Sequence, residues 1–194
     1  MSTRSRLLTI LALVVSLGIA GLAAAAILMP RGVSNGRPDV GGPFALTSQD
    51  GTKVTQAALL GHPTLVFFGY THCPDVCPTT LAEISSIFKA LGPEETARAL
   101  FITVDPERDT PVVLKDYLTS FDPRITALTG SPEAINAVEH EYKAYAKAVP
   151  DKDGTYTMDH TAIAYLMDKD GRFVGAFDLD RPIKDAAAEL KSYF

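Results

Sequence analysis

Apolar and polar positions divide the chain into unlike parts. From Leu7 to Met29 no charged side chain occurs, and only Thr9 and Ser16 are polar. As a helix this run would span roughly 34 Å at about 1.5 Å per residue, enough for a bilayer core. Arg4 and Arg6 precede it, the arrangement that keeps the N-terminus in the cytoplasm and exports the remainder of the chain. A cleaved signal peptide with Ala23–Ala26 at its cleavage site is the rival reading. Because the apolar run continues past those alanines, the pattern predicts a retained anchor. The expected organisation is a cytoplasmic N-terminus (1–6), a transmembrane anchor (7–29), a flexible tether rich in Gly, Pro, Ser and Asn (30–42) and one domain (43–194). The expected location is a bacterial inner membrane, single-pass, with the domain in the periplasm.

Beyond the tether the period changes from element to element. Phe44–Thr47 and Thr52–Val54, joined through Asp50-Gly51, read as a hairpin. Thr64–Gly69 and Leu100–Val104 are short continuous apolar runs, the mark of strands buried on both faces. Between them Leu81, Ile84, Phe88 and Leu91 recur at helical spacing until Gly92-Pro93. Thr110-Pro111 and Ser131-Pro132 each place a capping side chain before a proline, the start signal of a helix. The second of these helices is expected to run through Ala146. Ile125–Thr129 reads as a strand. Thr161–Met167 and Arg172–Phe177 read as a terminal hairpin about an Asp168–Gly171 turn, and Pro182–Tyr193 as a closing amphipathic helix. The order predicts an α/β fold with a mixed central sheet flanked by helices.

Charge then excludes some functions. All 23 acidic residues lie after Met29, whereas Arg4 and Arg6 precede the run, so 30–194 carries 16 basic against 23 acidic residues, a net charge of −7. No excess of cations exists to hold a phosphate backbone, so no nucleic-acid partner is expected. No second long apolar run suggests a polytopic membrane protein. Two cysteines are too few for a disulfide-stapled scaffold.

The candidate chemistry lies just after the first buried strand. Gly69-Tyr70-Thr71-His72-Cys73-Pro74-Asp75-Val76-Cys77-Pro78 joins strand to helix, where ligands and reactive groups collect in α/β folds. Pro78 suits a first helical turn, which puts Cys77 at or near the N-cap, where free N–H groups favour a thiolate. The pair can be a structural disulfide, a redox dithiol or two ligands of a metal. A disulfide here closes a tiny loop and stabilises little. The spacing has one residue more than a thioredoxin-type C-x2-C. A metal needs at least a third ligand. Of the four histidines, His62 lies at the wrong end of its strand, His140 sits in a polar helix, and His72 adjoins Cys73 without having to point the same way. His160, in Asp159-His160-Thr161 before a buried strand, is the strongest candidate, placed on a loop able to fold over the cysteines.

The stretch Phe68–Pro78 resembles the signature of the Sco/SenC family, copper chaperones of cytochrome c oxidase assembly. Val104-Asp105-Pro106-Glu107-Arg108-Asp109-Thr110-Pro111 is similar to that family's second block and Asp159-His160-Thr161 to its third. The likeness runs from about Pro43 to Leu190. The resemblance implies a thioredoxin-like fold in which Cys73, Cys77 and His160 bind copper; two soft thiolates and one imidazole suit Cu(I), and can hold Cu(II) with an added oxygen ligand. Cys73 and Cys77 are also a candidate redox pair, and oxidation of the two thiols to a disulfide would abolish soft-metal binding. Asp75 and Asp105 are candidates for outer-shell support; Arg108 and Asp109 are expected to fix their loop through local pairing. The implied partners are the oxidase subunit carrying the two-copper centre, and other periplasmic copper carriers or thiol reductants. On this reading the protein delivers copper rather than catalysing a reaction. The alternatives are a thiol-disulfide reductase for the cysteines of that centre, a peroxide-reducing enzyme, and a purely structural role.

Overall fold

The computed structural model describes residues 40–152 and 154–194. The expected anchor at 7–29, the cytoplasmic 1–6 and most of the tether lie outside them. Among the described residues no helix is long and apolar enough to cross a membrane.

A seven-stranded mixed sheet forms the centre, in the order β2-β1-β5-β4-β3-β8-β9. The strands are β1 (Ala45–Ser48), β2 (Lys53–Thr55), β3 (Thr64–Gly69), β4 (Arg98–Thr103), β5 (Ile125–Thr129), β8 (Ala164–Met167) and β9 (Phe173–Phe177). β3 runs parallel to β4 and β4 parallel to β5, and β1 and β8 join antiparallel at the two sides. Every residue of β3 is buried, because both edges pair and both faces are covered, which explains its uninterrupted apolar run. The expected hairpin at the start forms as β1 and β2, with Leu46 opposite Val54 and Gly51 at φ 77° in the turn.

Among the described residues four α-helices connect and cover the sheet: α1 (Val76–Leu91), α2 (Pro111–Leu118), α3 (Pro132–Tyr142) and α4 (Ile183–Lys191). α1 packs against α4, and α2 against β5. The capping signals act as expected. Thr110 Oγ1 accepts from the N–H of Val113 at 3.4 Å, and Ser131 Oγ from that of Ala134 at 3.3 Å. The inward face of α1 presents Leu81, Ile84, Ile87 and Phe88 to a core that includes Phe67, Phe68 and Phe101.

The helix expected through Ala146 ends instead at Tyr142. Lys143 adopts φ 54°, and the N–H groups of Lys143 and Ala144 bond back to the carbonyls of His140 and Glu139, a Schellman closure built without glycine. Tertiary packing outweighs the helix propensity of the Lys/Ala residues beyond. The ring of fully buried Tyr142 lies 5.4 Å from Phe68 and 5.6 Å from Tyr165, so the chain must turn away there. It continues as β6 (Ala146–Pro150), which pairs antiparallel with β7 (Tyr156–His160) in a separate two-stranded sheet. The expected loop before His160 is therefore a strand, and the strand expected from Thr161 begins at Ala164. Residues 161–163 link the two, with the Thr161 N–H on the Tyr145 carbonyl at 2.9 Å and the Tyr145 N–H on Thr161 Oγ1 at 2.9 Å.

Candidate metal centre

The site is built where β3 hands over to α1. Gly69 ends the strand, and a Cβ there would stand 2.8 Å from Cys77 Sγ and 2.7 Å from the Phe101 ring. Only glycine lets the helix bring Cys77 so close to the strand end. The turn after it closes through the Cys73 N–H on the Tyr70 carbonyl at 3.2 Å. α1 starts at Val76, with Asp75 at its N-cap and Cys77 one residue further in. The Cys77 N–H, one of the free donors of the first turn, points at Cys73 Sγ at 3.4 Å. Both cysteines are free thiols and both are buried.

His160 arrives from the distal end of β7. Its Nε2 is 3.6 Å from Cys77 Sγ, and the ligand atoms of Cys73, Cys77 and His160 all lie within 4.8 Å of one another. The imidazole sits edge-on between aromatic rings, 5.7 Å from Tyr70 and 6.4 Å from Phe67. Its Nδ1 is 3.1 Å from the Thr161 carbonyl. A carbonyl only accepts, so Nδ1 carries the proton and Nε2 presents its lone pair to the sulfurs.

Two thiolates and one imidazole form a soft donor set that can hold Cu(I), with a coordination position left open. Zinc takes the same atoms but usually wants four in a closed site. The helix N-terminus alone does not keep Cys77 as a thiolate. Burial pushes its thiol up, the neighbouring Cys73 and the Asp109 carboxylate add to the rise, and a backbone hydrogen bond offsets only part of it. Without a cation Cys77 therefore holds its proton; a soft cation takes the proton's place.

The remaining sequence candidates separate. His62 lies at the far end of β3, with Nδ1 2.7 Å from Thr96 Oγ1, and His140 is exposed on α3. His72 is exposed, with Nδ1 3.1 Å from Thr71 Oγ1, and is not in the donor cluster. Asp75 is exposed and its side chain makes no cap bond. Asp105 is buried and pairs with Arg108 Nε, and its other oxygen accepts from the Tyr156 hydroxyl at 2.9 Å. Arg108 also donates to the Tyr156 carbonyl at 3.0 Å and stacks 3.8 Å from the centre of that ring. Asp105 thus bears on β7, the strand that ends in His160, rather than on the ligands themselves.

The local pairing expected of Arg108 forms with Asp105, whereas the expected local pairing of Asp109 does not. Asp109 reaches the cysteine turn, accepting from Thr71 N–H at 3.1 Å, Thr71 Oγ1 at 2.6 Å and Thr103 Oγ1 at 2.6 Å. Thr71, Asp109 and Tyr156 were not distinguishable as site residues in the sequence. Two signals pointed toward Asp109: it lies in the second block of the family likeness, and it stands in a loop at the C-terminal end of the strand next to β3, the same end as the cysteines.

Known proteins share this geometry's sequence and fold. The family model described as SCO1/SenC matches residues 32–194. The chain is 35% identical over 173 residues to SCO1 homolog 1, mitochondrial, of Arabidopsis thaliana, covering 86% of this chain and 52% of that protein. It thus spans about half the length of that relative. A structure of Bradyrhizobium japonicum ScoI with copper bound matches with a TM-score of 0.77 and 58% identity, covering 80% of this chain and 99% of the other. A structure of BsSco, described with a disulfide switch and as a member of the Sco family of cytochrome c oxidase assembly proteins, matches with a TM-score of 0.64 and 26% identity, covering 82% and 96%.

Proposed function

The chain belongs to the SCO1/SenC family, and on that premise we propose that it binds copper and delivers it during assembly of cytochrome c oxidase. The observation that carries this is the convergence of Cys73 Sγ, Cys77 Sγ and a His160 ring nitrogen within 4.8 Å, with a relative of 58% identity described with copper bound. The metal is cargo. Uptake displaces the thiol protons, and His160 Nε2 completes a three-donor set. The open position lets a ligand of the receiving protein attack before the departing donors let go. The receiver is the oxidase subunit with the two-copper centre, and other copper carriers or thiol reductants load or reset the site. Exchange with a disulfide of a partner protein, which takes up the two electrons and two protons as it becomes two thiols, would join Cys73 to Cys77 and remove both soft donors, so thiol redox state gates loading. The apolar segment Leu7–Met29 would anchor the domain to the inner membrane on its periplasmic side, beside a membrane-embedded client.

The second reading is a thiol-disulfide reductase that keeps the client's cysteines reduced. It is favoured by the free, adjacent thiols at a helix start. It uses the same cysteines but has no need of His160. The discriminating experiment is His160→Ala in the full-length reduced chain. Delivery predicts that Cu(I) affinity, measured by competition with a chelator, falls by more than about 100-fold, the upper end of what outer-shell changes cost, while dithiol exchange persists. Wild-type affinity in that variant would overturn the ligand assignment.

A further inference from the structure

We propose that Asp109 is a positioning residue for the cysteine turn, acting through Thr71. Asp109 has no exposed surface, and it lies 38 residues beyond Thr71 in the chain. Its carboxylate accepts from the Thr71 N–H at 3.1 Å, the Thr71 hydroxyl at 2.6 Å and the Thr103 hydroxyl at 2.6 Å. All three donors are neutral. A buried carboxylate satisfied in this way is a costly means of holding a fold together, and an apolar side chain would do as well for stability alone. What it supplies is geometry. Thr103 closes β4 and Thr71 opens the turn after β3, and the Val104 N–H meets the Gly69 carbonyl at 2.8 Å between them. Asp109 therefore ties the ends of two adjacent parallel strands to one point.

Thr71 stands two residues before Cys73. With both its N–H and its hydroxyl held, and with the Cys73 N–H closed onto the Tyr70 carbonyl, little backbone freedom remains to Cys73. Its Sγ is kept against the Cys77 N–H, within reach of Cys77 and His160. The clamp also settles the neighbouring imidazole. The Thr71 hydroxyl gives its proton to Asp109, so its oxygen accepts from His72 Nδ1 at 3.1 Å. His72 is thereby tied to the turn and kept out of the donor set, leaving His160 as the nitrogen ligand.

The test uses the full-length reduced protein and two variants of the weaker-packed partner. Thr71→Val removes the hydroxyl at similar volume; Thr71→Ser keeps it. The first measurement needs no metal: the rate at which iodoacetamide alkylates Cys73, located by peptide mass spectrometry. Thr71→Val should raise that rate about tenfold, the size set by one hydrogen bond to a charged group, and Thr71→Ser should restore the wild-type rate. The second measurement, Cu(I) affinity, rests on the copper reading and should fall by a similar factor in Thr71→Val alone. Asp109→Asn should behave like Thr71→Val, and the double variant should be no worse than either single one. If Asp109→Asn does not fold, the Thr71 pair decides. Unchanged alkylation in Thr71→Val, or equal effects of Val and Ser, overturns the inference. A wild-type protein that takes no copper while the alkylation pattern holds would overturn the copper reading and leave the positioning role standing.

Discussion

Cys77 Sγ stands 3.6 Å from Nε2 of His160 although 83 residues separate them in the chain. The contact joins a helix that leaves the central sheet to a strand of the second sheet. Cys77 belongs to the helix that leaves the central strand β3, and His160 to the end of the separate β6–β7 hairpin. The hairpin is held in place by Tyr156 and Arg108 on Asp105 at one end and by Tyr145 and Thr161 at the other. On the copper reading, metal affinity should therefore depend on contacts that touch no ligand.

Gly69→Ala tests the close approach at the strand end. The added methyl meets Cys77 Sγ at 2.8 Å and the Phe101 ring at 2.7 Å, both inside the core. Overpacking of this kind is expected to cost about 1–3 kcal/mol and to displace Cys77 from the donor set. Urea denaturation should show the stability loss, and a parallel Cu(I) titration the weaker binding. Wild-type values in both would mean that sulfur and ring yield freely.

Arg108→Ala tests the brace behind His160. The substitution strips Asp105, which is 3% exposed, of its cation, and frees the Tyr156 carbonyl and ring. Because Arg108 itself is 24% exposed, the expected loss lies between the surface and buried limits, about 2 kcal/mol. Tyr156→Phe removes one hydroxyl donor and should cost about 1 kcal/mol. Chemical denaturation measures both. Copper affinity should fall in each variant, more in Arg108→Ala, and affinity independent of both would show that β7 needs no brace.

The protonation of Cys77 predicts a pH dependence with a definite sign. Burial raises its thiol well above the ordinary value of 9.0, so a bound Cu(I) competes with a proton throughout the neutral range. Each unit of pH removes a factor of ten of that competitor. Apparent Cu(I) affinity should rise at least about tenfold per unit between about pH 6 and 9, which chelator competition at several pH values measures. For the metal-free fold the sign is opposite. A thiol raised in the native state stabilises below its unfolded value and ceases to as pH climbs, so the reduced apoprotein should weaken from about pH 9 upward. A flat affinity profile would mean that Cys77 is already ionised.

The elements that could be read in the sequence are those whose cause is local. β3 announces itself because burial on both faces leaves six consecutive buried residues. α2 and α3 do so because Thr110-Pro111 and Ser131-Pro132 cap them by short-range bonds. The β6–β7 hairpin escaped because it has almost no buried face. Along β6 only Ala146 is partly covered, and along β7 the half-buried Tyr156, Met158 and His160 alternate with exposed residues. The alternation of β7 is three positions deep and ends in a histidine, too short a period-two signal to fix a strand, while the Ala and Lys that open β6 favour a helix.

The site divides along the same line. Cys73 and Cys77 are four residues apart, and a turn leading into the first turn of a helix must bring them together, so their pairing was contained in the sequence itself. Which histidine meets them was not. His72 is next to Cys73 in the chain yet is held by Thr71, whereas His160 is carried in on a hairpin from beyond α3. The role of Asp109 was likewise invisible, because its partner lies across two strand ends rather than beside it. Local chain geometry determined the thiol pair. The packing of one sheet against a second strand pair chose the imidazole, since that choice depends on distances that exist only after the chain has folded.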